Sequence, residues 1–253
     1  MLARPVLVPL PQIDFDPTEV AVPWQALRAA GFEVRFATPS GTVGEADPRM
    51  VTGEGLGLLR GLLQADAAGR DAYAALRLDP AFQAPLAYSA VKSEEYGALL
   101  LPGGHAKGMR VYLESREVQR MVAWFFDQDL PVGAICHGTL MAGRSVSSRT
   151  GRSVLHGRRT TGLTRMQELT AWWLTRGWLG DYYRTYPTPM ETELRSFLAS
   201  PADYDGGPLP LFRDAPGKLS AGFTVRDGRY LSARWPGDAH RFAAELVELF
   251  RAG

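Results

Sequence analysis

Val132-Gly133-Ala134-Ile135-Cys136-His137-Gly138 is the stretch that decides the fold. Four small or apolar residues in a row are too few for a buried helix and read as a strand covered on both faces, as in a parallel sheet. The run stops at a cysteine, and Thr139 onward continues as a helix. A chain that passes from strand to helix within about one residue lifts the side chain at the turn clear of the sheet. The small Gly138 then permits helix and strand to pack closely. Cys136 is therefore expected on a nucleophile elbow, at the carboxyl end of a strand where open parallel sheets bind ligands. The helix N-terminus there favours thiolate over thiol.

Working outward, residues 6–10 (Val-Leu-Val-Pro-Leu) form an apolar strand, and residues 17–30 carry Val20, Pro23, Trp24 and Leu27 at helical spacing, closed by Gly31. Residues 32–37 alternate as a strand, completing a β-α-β unit with parallel strands and a right-handed crossover. Downstream, 98–101 is a buried strand, 114–128 a helix, 153–163 strand-rich with His156 in mid-strand, 223–234 a hairpin turned at Asp227-Gly228, and 239–250 an amphipathic helix. Two segments break this rhythm. Residues 42–92, rich in Gly and Pro, read as an insertion over one edge of the sheet, helical near 56–63 and 72–78. Residues 164–218 carry Trp172-Trp173, Trp178, Tyr182-Tyr183 and Tyr186, a cluster suited to a cap on the core or a subunit interface. The pattern predicts one α/β domain over 1–253, a doubly wound, mostly parallel sheet flanked by helices, with insertions at about 42–92 and 164–218.

Composition excludes several classes of function. Of 253 residues 45% are hydrophobic, enough for an ordinary core, and Lys+Arg 28 against Asp+Glu 27 gives a net charge of +1. That balance offers no reason to expect nucleic acid or an anionic membrane as partner. The runs Arg158-Arg159 and 149–152 read as solvated loop charge. No stretch reaches the ~18 uninterrupted apolar residues of a membrane span, and the greasiest, 169–179, is broken by Arg176. The N-terminus lacks the pattern of a secretory signal. One cysteine allows neither an internal disulfide nor a thiolate cage. The expectation is a cytoplasmic protein.

Two further segments bring reactive groups to strand ends. Leu101-Pro102-Gly103-Gly104-His105 leaves the strand before the elbow, and its glycines let backbone approach a ligand; the amides of Gly104 and His137 could form an oxyanion hole. Asp14, Asp16 and Glu19 follow the first strand, and any of them could send a carboxyl toward Cys136 or merely cap the next helix.

Pro102-Gly103-Gly104-His105 followed by Ala134-Ile135-Cys136-His137-Gly138 resembles the ThiJ/PfpI superfamily. Glu19-Val-Ala-Val-Pro23 looks like the segment bearing that family's glutamate, which selects Glu19 among the three acids. Asp79-Pro80-Ala81-Phe82 and Glu95-Tyr96-Gly97-Ala98 are similar to the heat-shock chaperone and glyoxalase III branch. The resemblance implies a flavodoxin-like, class I glutamine amidotransferase-like fold and a site of Cys136, His137 and Glu19, with Gly103, Gly104 and His105 beside it. It implies no cofactor. A third acid is expected to orient His137, with Glu168 preferred and Asp181 the rival. True amidotransferases carry His-x-Glu after the late strand; here Arg234-Trp235-Pro236-Gly237 stands there, and Asp238 is read as a helix cap rather than, with His240, a catalytic pair. Glutamine hydrolysis is thereby disfavoured. The implied activity is glutathione-independent conversion of methylglyoxal to lactate through a Cys136 hemithioacetal, a small carbonyl compound being the only partner besides a second subunit in a homodimer. The alternatives are a stress protein without turnover, acting as holdase or thiol oxidation sensor, and a cysteine amidase or peptidase. No metal is expected, since His105 shows no second ligand in the sequence.

Overall fold

The computed structural model describes residues 4–252. The described residues hold nine strands: β1 Val6–Pro9, β2 Ile13–Phe15, β3 Val34–Thr38, β4 Glu45–Ala46, β5 Leu86–Ala87, β6 Ala98–Leu101, β7 Val132–Ile135, β8 Thr224–Asp227 and β9 Tyr230–Ala233. Seven make one sheet in the order β5-β3-β1-β6-β7-β9-β8, and β2 pairs with β4 separately. All pairs in the large sheet are parallel except the β8–β9 hairpin. Every residue of β1, β6, β7 and β9 is buried, which is why these central strands lack polar alternation. This is the doubly wound α/β fold expected.

Strand order fixes the placement of the helices. From β1 the chain steps to β3 through α1 (Pro17–Ala29), and from β6 it steps the opposite way to β7 through α3 (Arg116–Asp127), α2 being Ala67–Leu76. Right-handed crossovers in opposite directions put α1 and α3 on opposite faces. Accordingly α1 packs with α2 and with the last helix, Ala239–Arg251, whereas α3 packs with α4 (His137–Arg144). No described helix is long and apolar enough to cross a membrane.

The two segments that break the sequence rhythm meet over the carboxyl ends of the strands. The first supplies β5 to the sheet edge and sends β4 alongside β2. The second contains α5 (Arg165–Leu179), begun by a Thr164–Gln167 capping box, and α6 (Met190–Ser196). Trp178 Nε1 donates to the Gly55 carbonyl at 2.7 Å, Tyr182 Oη to Asp47 Oδ1 at 3.0 Å, and Arg213 Nη2 to the Leu62 carbonyl at 2.9 Å. These bonds tie one segment to the other as a roof.

Residues 153–163 are not strand-rich. They hold only isolated bridges, Val146 to Ser153 and Thr160 to Tyr204, and His156 lies exposed in a turn rather than in mid-strand. The physical reason is competition for one edge: β9 has β7 on one side and β8 on the other. The segment docks by side chains instead, Thr161 N–H donating to Ser232 Oγ at 3.0 Å and Thr160 Oγ1 pairing with Tyr230 Oη at 2.9 Å.

Candidate active site

Cys136 stands between β7 and α4 with φ 56° and ψ −127°, a backbone conformation costly for a residue with a Cβ. The elbow leaves no room two residues on: a Cβ at Gly138 would lie 1.9 Å from the Leu101 carbonyl oxygen. The same crowding holds at Gly103, where a Cβ would meet His137 N at 2.6 Å, Glu19 Oε2 at 2.8 Å and Cys136 Cβ at 2.9 Å. Gly103 is thus the point at which the strand end, the elbow and the acid converge. Its amide donates to Glu19 Oε2 at 2.9 Å, so it serves the acid, while the Gly104 and His137 amides remain the candidates for binding an oxyanion.

Two imidazoles flank the sulfur. His105 Nε2 lies 3.7 Å and His137 Nδ1 3.6 Å from Cys136 Sγ, and the rings meet edge-to-face. Burial depresses both: His105 is held at about 4, and His137 well below its usual value, with His105 and Arg144 adding to the effect. Both are neutral near pH 7, and burial makes each a weaker base than a free imidazole. Glu19 is fully buried, its Oε2 and the Cys136 Cβ both closing on Gly103 while its Oε1 has no hydrogen-bond partner among the described residues, and burial, reinforced by Asp16, holds its carboxyl well above the ordinary range.

The thiol departs from the expectation of a ready thiolate. Burial pushes Cys136 well above its usual value, Glu19 and Asp16 push further, and the His137 amide works against them. The partial charge of one helix terminus, at most ~2 kcal/mol, does not overcome removal from water in an acidic neighbourhood. A thiol neutral at rest needs a base beside it before it can attack, and the two imidazoles, weakened as bases by the same burial, are the nitrogens nearest the sulfur.

Several sequence expectations are corrected here. Glu168 does not orient His137: its Oε2 accepts the Met190 amide at 2.7 Å, while His137 Nε2 is buried without a hydrogen-bond partner. Burial raises Glu168 to about 7, a consequence of its place between α5 and α6. Asp181 is exposed and accepts from Trp172 Nε1 at 2.9 Å. Asp238 occupies the N-terminal position of the last helix without capping it. Its carboxylate grips Arg234 instead, Nε at 2.8 Å and Nη2 at 2.9 Å, both side chains 1% exposed or less. This buried pair stands where amidotransferases carry their His-x-Glu. Asp16 caps α1, accepting from the Thr18 and Glu19 amides at 2.8 and 3.1 Å, and Asp14 accepts the Gly108 amide at 2.8 Å. Finally, His105 does have metal-ligating neighbours: Nε2, Cys136 Sγ and His137 Nδ1 all lie within 4.8 Å of one another. Two neutral imidazoles and a thiol suit a thiophilic divalent ion such as zinc, and an ion there would occupy the Cys136 sulfur.

Cys136 is wholly buried, and the space above it belongs to the roof. A cavity of ≈ 360 Å³ opens beside His105, walled by Met50, Leu63, Leu163, Ala171 and Leu174 and by Trp235. Tyr183, whose ring packs edge-on to His105, lines it too. Thr185 Oγ1 donates to the His105 carbonyl at 2.6 Å, so the second segment also holds the backbone of that histidine. Sequence reading missed Asp47, Tyr183, Thr185 and Arg213 as site neighbours. The clustered tyrosines were a signal; Asp47 and Arg213 carried none, being brought in by folding of the roof.

The sequence profile of a family described as ThiJ/PfpI family-like matches residues 10–207. An uncharacterized protein of Schizosaccharomyces pombe is 24% identical over 251 residues, covering 95% of this chain and 81% of that protein. Among solved structures, the 24 kDa rapid encystment protein of Francisella tularensis superposes with a TM-score of 0.67 at 16% identity, over 98% of this chain and 99% of that one. Glyoxalase III of Candida albicans superposes with a TM-score of 0.66 at 18% identity, over 99% and 98%. At these identities the structural likeness is one of fold.

Proposed function

The chain belongs to the ThiJ/PfpI family, and from that premise we propose that it is a cysteine-dependent enzyme acting on 2-oxoaldehydes, converting methylglyoxal to lactate without glutathione. The observation that carries the reading is the elbow thiol set within 3.7 Å of two neutral imidazoles and against a buried carboxyl. In this scheme Cys136 Sγ bonds to the aldehyde carbon as its proton passes to His137 Nδ1 or His105 Nε2, and thence to the carbonyl oxygen, giving a hemithioacetal. The Gly104 and His137 amides stabilise the oxyanion on the way. His137 or Glu19 then carries the proton of C1 to C2 through an enediol, leaving the thioester of lactate. Water cleaves the C–S bond; one water enters, lactate leaves, and no oxidant is needed. The likeness to glyoxalase III supports the reaction class.

The test is lactate formation from methylglyoxal by wild type, Cys136→Ser and Glu19→Gln. Loss in both variants, with far-UV circular dichroism unchanged, is the expected result. A Cys136→Ser variant at wild-type rate removes the proposal. A second reading, thiol oxidation sensing, draws on the same Glu19–Cys136 pair, since a neighbouring carboxyl stabilises a sulfinic acid by hydrogen bonding. Mass spectrometry after mild peroxide, showing no selective oxygen addition at Cys136, would dismiss it.

A further inference from the structure

Cys136 has no exposed surface, so a reagent or substrate reaches its sulfur only through a movement of the protein. Around the elbow stand Glu19, Gly103, His137 and His105, and of these only His105 keeps exposed surface. Among the described residues its ring makes one hydrogen-bond contact, the long one to Sγ at 3.7 Å, so little binds the imidazole to the sulfur side. On its other side lies space. His105 lines the ≈ 360 Å³ cavity, whose wall is otherwise mainly apolar and gives a turning ring room.

What restrains His105 comes from the loop between α5 and α6. The Tyr183 ring packs edge-on against the imidazole, centroids 6.3 Å apart. Thr185, 1% exposed, donates from Oγ1 to the His105 carbonyl at 2.6 Å. The bond is returned from the other direction, since Arg110 Nε, a little further along the chain from the histidine, donates to the Thr185 carbonyl at 2.6 Å. We infer that His105 is a gate over Cys136, held shut by Tyr183 and Thr185 as positioning residues, and that it opens by turning its ring into the cavity. Passage from one staggered well to the next swings a side chain by about 120°, a motion that needs no unfolding. With the ring away, the sulfur faces the cavity and His137 remains beside it. The gate serves addition to a carbonyl and oxidation of the thiol alike, so it stands apart from the glyoxalase reading.

Alkylation by iodoacetamide, read by intact mass on the full chain with its one cysteine, tests this. Thr185→Val keeps the shape and removes the donor. It is expected to speed alkylation about fivefold, the factor one neutral hydrogen bond sets on an opening equilibrium. Thr185→Ser restores the donor and is expected to fall within about twofold of wild type. In a His105→Ala background Thr185→Val is expected to add nothing, because no ring is left to hold. All these rates should be flat in urea below the unfolding transition, since a side-chain movement exposes little surface. Met50 borders both this cavity and a smaller hollow that His105 and Tyr183 also line. Met50→Trp therefore fills space next to the ring and is expected to slow alkylation about tenfold, the factor an overpacked open state sets. The inference is overturned by a Thr185→Val rate equal to wild type, by the same acceleration in the absence of His105, or by rates that climb with urea as unfolding does. A Met50→Trp rate at or above wild type overturns it too. Should Thr185→Val not fold, Tyr183→Leu removes the edge-on ring and carries the same expectations in both backgrounds.

Discussion

Replacing Asp47 by Asn should stabilise the protein, and do so more at alkaline than at acid pH. Asp47 is 2% exposed; its Oδ1 accepts the Arg49 amide at 2.9 Å and Tyr182 Oη, while Oδ2 is buried without a partner. Burial raises its carboxyl from 3.8 to about 6, and the Arg49 amide is the largest of the influences that oppose it. The unfolded chain ionises near 3.8, so the folded state favours the proton, and its stability falls as pH rises from that value through about 6. A shift of about 2 units corresponds to about 3 kcal/mol above pH 7, and only about 1 kcal/mol of it is felt at pH 4.5. Asparagine caps a helix as well as aspartate does, preserves the Oδ1 acceptor and removes the charge. Denaturant unfolding of wild type and Asp47→Asn at pH 4.5 and pH 8 should therefore show the stabilisation growing by about 2 kcal/mol between the two. A difference independent of pH, or one that shrinks toward pH 8, would refute the assignment of a buried, desolvated carboxylate.

Four further outcomes follow from the same geometry. Gly138→Ala sets a methyl 1.9 Å from the Leu101 carbonyl oxygen, backbone that cannot yield, and should destabilise by ~3 kcal/mol or more in thermal unfolding. Asp238→Asn leaves the Arg234 guanidinium buried without its counter-charge, a loss of about 3–5 kcal/mol that should lower Tm by roughly 10 °C; an unchanged Tm would mean the pair is not buried. His105→Ala removes the ring between the cavity and the thiol, so alkylation of Cys136 by iodoacetamide should accelerate about tenfold or more, and a rate equal to wild type would show that His105 is no barrier. Zn²⁺ in slight excess should suppress turnover reversibly, with activity restored by chelation, because His105, Cys136 and His137 converge on one point.

How much of this was legible beforehand differs from element to element. The elbow was readable because its signal is local: a two-faced apolar run, an abrupt stop at Cys136 and a glycine two residues on impose strand, turn and close helix packing on any chain that carries them. The same holds for α1, announced by Asp16-Pro17 and ended at the Ala30-Gly31 pair, and for the last helix. Residues 153–163 misled for the complementary reason. Their strand propensity was real, but whether a segment pairs depends on a vacant sheet edge, and β8 fills that edge from a part of the chain remote in sequence.

By itself, then, the amino-acid sequence determined the α/β class, the position of the elbow cysteine and the glycines that crowd around it, since each follows from steric and hydrophobic rules acting over a few residues. Tertiary structure alone decided what surrounds the sulfur. It turned His105, already expected beside the site, into a second imidazole on the sulfur, sent Glu168 to the Met190 amide, locked Asp238 onto Arg234, and joined two separate segments through Asp47–Tyr182 and Gly55–Trp178 into a roof. Ionisation was settled at the same level. Proximity to a helix terminus can be read from order along the chain, but removal from water cannot, and burial is the larger influence on the Cys136 thiol.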